Sequence, residues 1–348
     1  MSKAVLLQNI GDPVLLYNWL RLYKTVWENE ADSLYIYLNI PEWVPSSIVD
    51  YTISLVNKVP KIRYVDLSPK SSYKTHGEVM KHLLDVSSEP HVMFVEDDGF
   101  IFRKGQVARC FDYLSRGAGL VGGVRRALSM GLHQAIVNRY DLLEENSIYR
   151  MGCTWWPNFL FVKRELLDQT DKHFGSKGWP AGIPIENLNY TPTEPQSADT
   201  FGWMSMQLWE LGVEPSIVDQ FHSLSNDLSM KKAGMNLWSK DCHWVHAGSL
   251  SFTVGTKETG LFAEPDKFSE HITGYVKEHG THQKGRGEFA RRLAWIRALL
   301  QLFPQEEIEK IKNPIERYQV NLEAAEKLVP DTEDMRRNLT CAYVELLK

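Results

Sequence analysis

Across the first hundred residues, four short apolar runs alternate with stretches of helical spacing, and this alternation narrows the possible folds more than any other feature. The runs cover residues 4–7, 34–38, 62–65 and 92–95, lengths that suit strands rather than buried helices. Helical patterns over 14–27, 46–56 and 74–86 separate them. Asp12 followed by Pro13 makes a cap and first-turn pair for the first helix, and Ser46 or Ser47 can cap the second. Strands alternating with helices imply parallel pairing through right-handed crossovers, hence a Rossmann-like α/β half over residues 1–100. No Gly-x-Gly-x-x-Gly follows the first strand and no Walker lysine motif appears, so neither a dinucleotide site nor a P-loop is supported.

In an open α/β sheet, ligands bind just beyond the carboxyl ends of the strands. The fourth run ends there in Glu96-Asp97-Asp98, followed by Gly99. Carboxylates in that place are suited to a hard divalent cation, which prefers oxygen ligands and shares them with phosphates. A solvated acidic turn is the alternative. Gln8 and Asn9 end the first strand, Asn39 the second and Asp66 the third, so all four face the same crevice. Lys74 and His76, at the opening of the third helix, are placed to meet a diphosphate or a base. Each of these residues also suits an ordinary turn.

The second half supplies three further pieces. Residues 151–166 read as an apolar strand after Gly152, ending in Lys163-Arg164, which opens a short helix. Trp155 and Trp156 within it are either core or a flat stacking face for a sugar or base. A Pro- and Gly-rich loop through Pro195 then leads to Ser197-Ala198-Asp199 and a helix reaching Leu211, with Leu208 and Leu211 on its buried side. Asp199 suits an N-cap near the positive end of that helix. The third piece is the segment 241–249, with His243 and His246. Cys242, His243 and His246 invite a zinc reading, but no second Cys/His pair has suitable spacing.

The order of these pieces resembles the GT-A fold of nucleotide-sugar glycosyltransferases, most of all the family-2-like group, over about residues 3–255. The residues carrying the likeness are the Asn-containing first turn, the His76-Gly77-Glu78 helix opening and the strand ending in Glu96-Asp97-Asp98. In that family the acidic position is the DxD motif, whose carboxylates bind Mn²⁺ or Mg²⁺ bridging the donor diphosphate. The resemblance implies Asp98 as a direct metal ligand, with Glu96 and Asp97 directed to the donor ribose, sugar or metal-bound water. The motif reads Glu-Asp-Asp here, so the division of roles stays open. It implies His246 as the late histidine completing the metal site. Asp199 takes the place of the general base in inverting members, where the acceptor hydroxyl must lose its proton as it attacks; Glu194 is the reserve. Gln8, Asn9, Asn39, Asp66 and His76 are implied as contacts of a nucleotide-sugar donor, a UDP-sugar first among them.

Composition bounds the rest. The chain has 348 residues and a net charge of −5, which carries no global nucleic-acid signature. Cys110, Cys153, Cys242 and Cys341 lie far apart without paired spacing, which points to a reducing, cytoplasmic setting (host cytoplasm for a viral protein). No stretch approaches the length of a membrane span. The expected division is a catalytic domain over 1–258, with a nucleotide-sugar half to residue 100 and an acceptor half over 101–258, then a helical extension over 259–348. Helices are expected over 262–275, 287–302, 305–323 and 331–347. A basic cluster at 277–297, including Lys284, Arg286, Arg291, Arg292 and Arg297, is either a solvated face or a phosphate-binding surface. The expected activity is thus metal-dependent glycosyl transfer to a hydroxyl, on a hydroxymethylated base in DNA or on a glycan. The alternative is a nucleotidyltransferase-like or non-catalytic nucleotide-binding relative, which would normally carry a basic, Gly-rich first turn in place of Gln-Asn-Ile-Gly-Asp-Pro.

Overall fold

The computed structural model describes residues 1–69, 71, 74–122, 124–125, 130–140, 154–155, 157–196, 200–213, 215–217, 236–238, 244–247, 250–279, 283–329 and 332–333. The chain opens with β1 (Lys3–Asn9), α1 (Pro13–Leu22), β2 (Ser33–Leu38), α2 (Ser46–Asn57), β3 (Ile62–Asp66), α3 (His76–Val86) and β4 (His91–Glu96). Next come β5 (Gly99–Ile101), α4 (Gln106–Ser115), β6 (Leu120–Gly122), β7 (Val124–Arg125), α5 (Met130–Tyr140), β8 (Thr154–Trp155), β9 (Leu160–Lys163), α6 (Arg164–Leu167), α7 (Gly202–Glu210) and β10 (Pro215–Ile217). The remaining elements are β11 (Asn236–Trp238), β12 (Trp244–His246), α8 (Pro265–His279), α9 (Gln283–Gln301) and α10 (Lys312–Leu328).

A seven-stranded sheet runs in the order β10-β6-β9-β4-β1-β2-β3. β1 pairs in parallel with β2 and with β4, whereas β9 runs antiparallel to both β4 and β6. The fold is α/β: a Rossmann-like mixed sheet with flanking helices, followed by C-terminal helices. The chain builds outward from β1 through β2 to β3, then returns to place β4 on the other side of β1. This reversal opens a crevice at the carboxyl ends of β1 and β4, where ligands of such sheets bind.

Period-two alternation assigns the two sheet faces. Val5, Leu7, Met93 and Val95 enter one buried cluster, and Ala4, Leu6, Val92 and Phe94 the other. The first cluster takes in α1, α2 and α4, and it continues without a break into Trp295, Leu299 and Tyr318 of the C-terminal helices. Polar contacts reinforce that junction. Asp12 caps α1 by accepting from Val14 N at 2.8 Å and Leu15 N at 3.0 Å. Tyr318 on α10 donates to the second oxygen of Asp12 at 3.1 Å. Asn18 reaches Leu299 O at 3.1 Å, and Tyr51 donates to Glu307 at 2.8 Å.

Several elements depart from the periodicity. The first helix leaves α geometry after Leu22 and continues as a π segment, Tyr23–Trp27, where the rings of Trp19, Tyr23 and Trp27 pack on one another. Leu211, expected on a buried face, is 42% exposed, because α7 ends at Glu210 and Gly212 turns the chain with φ +68. The helix expected over 305–323 divides into Gln305–Ile308, a 3₁₀ turn Glu309–Ile311 and α10. Pro314 in the first turn of α10 accounts for the break, since its ring and missing N–H cannot continue a helix from upstream. The helix expected over 331–347 lies, apart from 332–333, outside the described residues.

Candidate metal and donor site

The site is built on the turn that follows β4. Glu96 is the last residue of that strand, and its backbone N–H donates to Asn158 Oδ1 at 3.1 Å. Gly99 then starts β5, where any side chain would collide with Asn158: a Cβ there would lie 2.5 Å from its Oδ1. β12 pairs antiparallel with β5 and sets His246 opposite Gly99. Ala247 N donates to Asp98 O at 2.9 Å, closing the two strands around the acidic turn. Strand pairing thus brings together residues almost 150 positions apart in sequence.

The result is a convergent set of donor atoms. His246 Nε2 lies 3.1 Å from Asp98 Oδ1 and 3.3 Å from Glu96 Oε2. One ligand atom from each of Glu96, Asp98 and His246 falls within 4.8 Å of the others. Asp98 and His246 are buried, while Glu96 is partly open to the crevice. Burial disfavours a charged imidazole, but Asp98 and Glu96 outweigh it and push His246 up to about 9. Two carboxylates and an imidazole crowded this closely form a donor set that fits Mn²⁺ or Mg²⁺.

The other expected residues divide by location. His76, the first residue of α3, touches the cluster directly, its Nε2 3.2 Å from Glu96 Oε1. Asp97 turns the opposite way. Its Oδ2 accepts from Asn9 Nδ2 at 2.6 Å and from Ile10 N at 3.0 Å, and Asn9 Oδ1 in turn accepts from Gly11 N. Burial raises Asp97 well above the usual carboxylate range, and the neighbouring Asp98 adds to this. Asp97 and Asn9 therefore clamp the ends of β1 and β4 across the crevice. Gln8 is paired between Tyr37 and Glu96 in the sheet, its side chain half-buried at the same end. Asn39 exchanges two hydrogen bonds with the Lys74 backbone, fixing the approach to α3. Asp66 ends β3 and accepts from Ser68 N at 3.2 Å.

Trp155 belongs to the core, buried and packed on Trp209 at 5.3 Å. Asp199, Trp156, Cys242 and His243 lie outside the described residues. Glu194 is exposed, on the loop before α7. Two participants escaped the sequence reading. Asn158 carries a weak signal, a lone amide within an aromatic run, since a buried polar group there needs partners. Arg291 carries none: from α9 it donates to Ala247 O at 2.6 Å, one residue past His246.

No family model matches the chain, and no curated protein matches it. Among solved structures it is similar to glucosyl-3-phosphoglycerate synthase from Mycobacterium tuberculosis, crystallised with Mn²⁺ and uridine-diphosphate-glucose. The identity is 16% and the TM-score 0.31, over 49% of this chain and 58% of that one.

Proposed function

We propose that this chain transfers a glycosyl group from a nucleotide sugar, a UDP-sugar in the first instance, to a hydroxyl acceptor. The observation that carries the reading is the convergence of Glu96, Asp98 and His246 at the crevice between β1 and β4. A bound Mn²⁺ or Mg²⁺ would supply charge neutralisation for the departing diphosphate. Asp98 and His246 would hold it from the buried side and Glu96 from the crevice. His76, resting on Glu96, is placed at the donor's edge of the site. Asn9 and Asp97 keep the two strand ends at fixed spacing, which holds the donor crevice in one shape. Gln8, Asn39 and Asp66 stand at the ends of β1, β2 and β3 for contacts to the nucleoside.

Asp199 is proposed as the base that takes the acceptor proton in an inverting transfer. Asp199→Asn is expected to leave donor binding nearly unchanged and to lower turnover by roughly 10²–10⁴-fold. A product with the donor's anomeric configuration would contradict inversion, and release of pyrophosphate from a nucleoside triphosphate supplied with a sugar phosphate would mark nucleotidyl transfer instead. Of the two acceptors considered, a glycan is favoured over DNA. Arg291 is committed to Ala247 O, and Arg297 pairs with Glu326 at 2.6 Å, so two of the cations expected to meet phosphates face inward. Among the described residues no helix is long and apolar enough to cross a membrane.

A further inference from the structure

A cavity of about 420 Å³ opens beside the metal site, with His76 in its lining. Four nitrogen-bearing side chains line it, those of His76, Lys81, Lys172 and His173, against a single carboxylate, Glu78. That carboxylate is turned back to cap its own helix, accepting from Thr75 N at 2.7 Å. Lys81 and Lys172 each meet an aspartate four residues away in sequence, Asp85 at 2.5 Å and Asp168 at 2.7 Å. Pairs at least partly open to water hold their partners weakly, so both ammonium groups stay available to an anion. His76 joins the cavity to the metal cluster through Glu96.

The walls are built with unusual backbone. Gly77 on α3 packs against the loop 174–175 so closely that a Cβ would lie 2.6 Å from Gly175 N. Among the described residues four non-glycine positions have positive φ: Phe159, Lys172, Asn189 and Phe201. Lys172 lines the cavity, Phe201 follows the lining residue Thr200, and Phe159 follows Asn158 at the metal turn. Phe201 N donates to Phe174 O at 2.9 Å, tying the start of α7 to the same loop. Left-handed backbone at bulky residues is costly and gathers where a site needs it.

We propose that this cavity is the acceptor subsite and that it takes an acceptor bearing an anionic group, a carboxylate or a phosphate. The inference rests on the glycosyl-transfer reading for the word acceptor, but the anion site stands on the cavity alone. With its anionic group held between Lys81, Lys172 and His173, an acceptor extends past His76 toward the donor crevice.

The test is calorimetric titration of the full chain with inorganic phosphate, followed by UDP with Mn²⁺ in the presence of saturating phosphate. Lys172→Gly removes a cation while keeping the left-handed turn, and Lys81→Ala alters only an exposed helix position. Phosphate is expected to bind, each variant to weaken it at least about fivefold, and UDP–Mn²⁺ affinity to stay within about twofold throughout. Phosphate binding that ignores both variants overturns the proposal. So does phosphate that displaces UDP, which assigns the cavity to the donor's diphosphate. Failure of UDP–Mn²⁺ to bind, with phosphate still responding to the variants, removes the glycosyl-transfer reading and the acceptor role while leaving an anion site.

Discussion

His246 is subject to two opposing effects, and their balance gives the site a signature in pH. Burial favours its neutral form, yet the adjoining carboxylates raise it from an ordinary 6.5 to about 9. A folded-state value above the unfolded one contributes stability that is complete below about 6.5 and is lost as pH rises through about 9. Thermal melts of metal-free protein are therefore expected to fall across that window, and those of His246→Gln to stay flat. A cation must displace the same proton, so Mn²⁺ affinity should strengthen with pH over the same range, by up to about tenfold per unit. Identical pH profiles for the parent and His246→Gln would contradict this arrangement. Asp97 makes a different prediction, because its partners belong to the chain. Asp97→Ala leaves Asn9 Nδ2 and Ile10 N buried without an acceptor and should cost about 2–5 kcal/mol in chemical denaturation. A loss of Mn²⁺ binding in that variant with stability unchanged would make Asp97 a ligand and not a clamp.

At the scale of elements, α3 shows how local sequence places a side chain beside the acidic turn. Thr75 and Glu78 form a reciprocal capping box, so His76 enters the first helical turn in a fixed position beside Glu96. Thr75→Ala should lower stability by about 1 kcal/mol. The hydrogen bonds from Thr75 depress the Glu78 carboxyl below its ordinary 4.5, so their contribution is present above that pH and fades as pH falls through the depressed value. The difference between parent and variant melts should shrink accordingly in acid; a difference independent of pH would exclude the box. Elements like this were legible in the sequence, because cap, spacing and strand length are local. The four strands of residues 1–100 and the short helix after Lys163 follow from such signals, and so does the acidic strand end. His246 was legible only through the order of motifs. Asn158 and Arg291 were not, because their roles depend on partners 62 and 44 residues away that local pattern does not encode. The same holds for Asp97: three adjacent carboxylates look alike in sequence, and only the fold turns one inward.

For the whole molecule, the C-terminal helices belong to the same packed body as the β1–β4 half. They share a continuous core with the β1–β4 half, seal the cap of α1 through Tyr318, and reach the metal turn through Arg291. Arg291→Met keeps most of the side-chain volume but releases the Ala247 carbonyl. It is expected to weaken Mn²⁺ binding about tenfold, the scale typical of a lost support behind a metal ligand. An unchanged Mn²⁺ affinity would separate the extension from the site. Glu96, Asp98 and His246 are proposed to hold the cation through which a nucleotide diphosphate is recruited. Calorimetric titration of UDP into the full chain, with Mn²⁺ or with EDTA, tests it most directly when repeated with Asp98→Asn, which keeps the size of this buried residue. UDP binding is expected to require Mn²⁺ and to be lost in Asp98→Asn at unchanged melting temperature; UDP binding indifferent to EDTA or to that substitution would rule out this metal site.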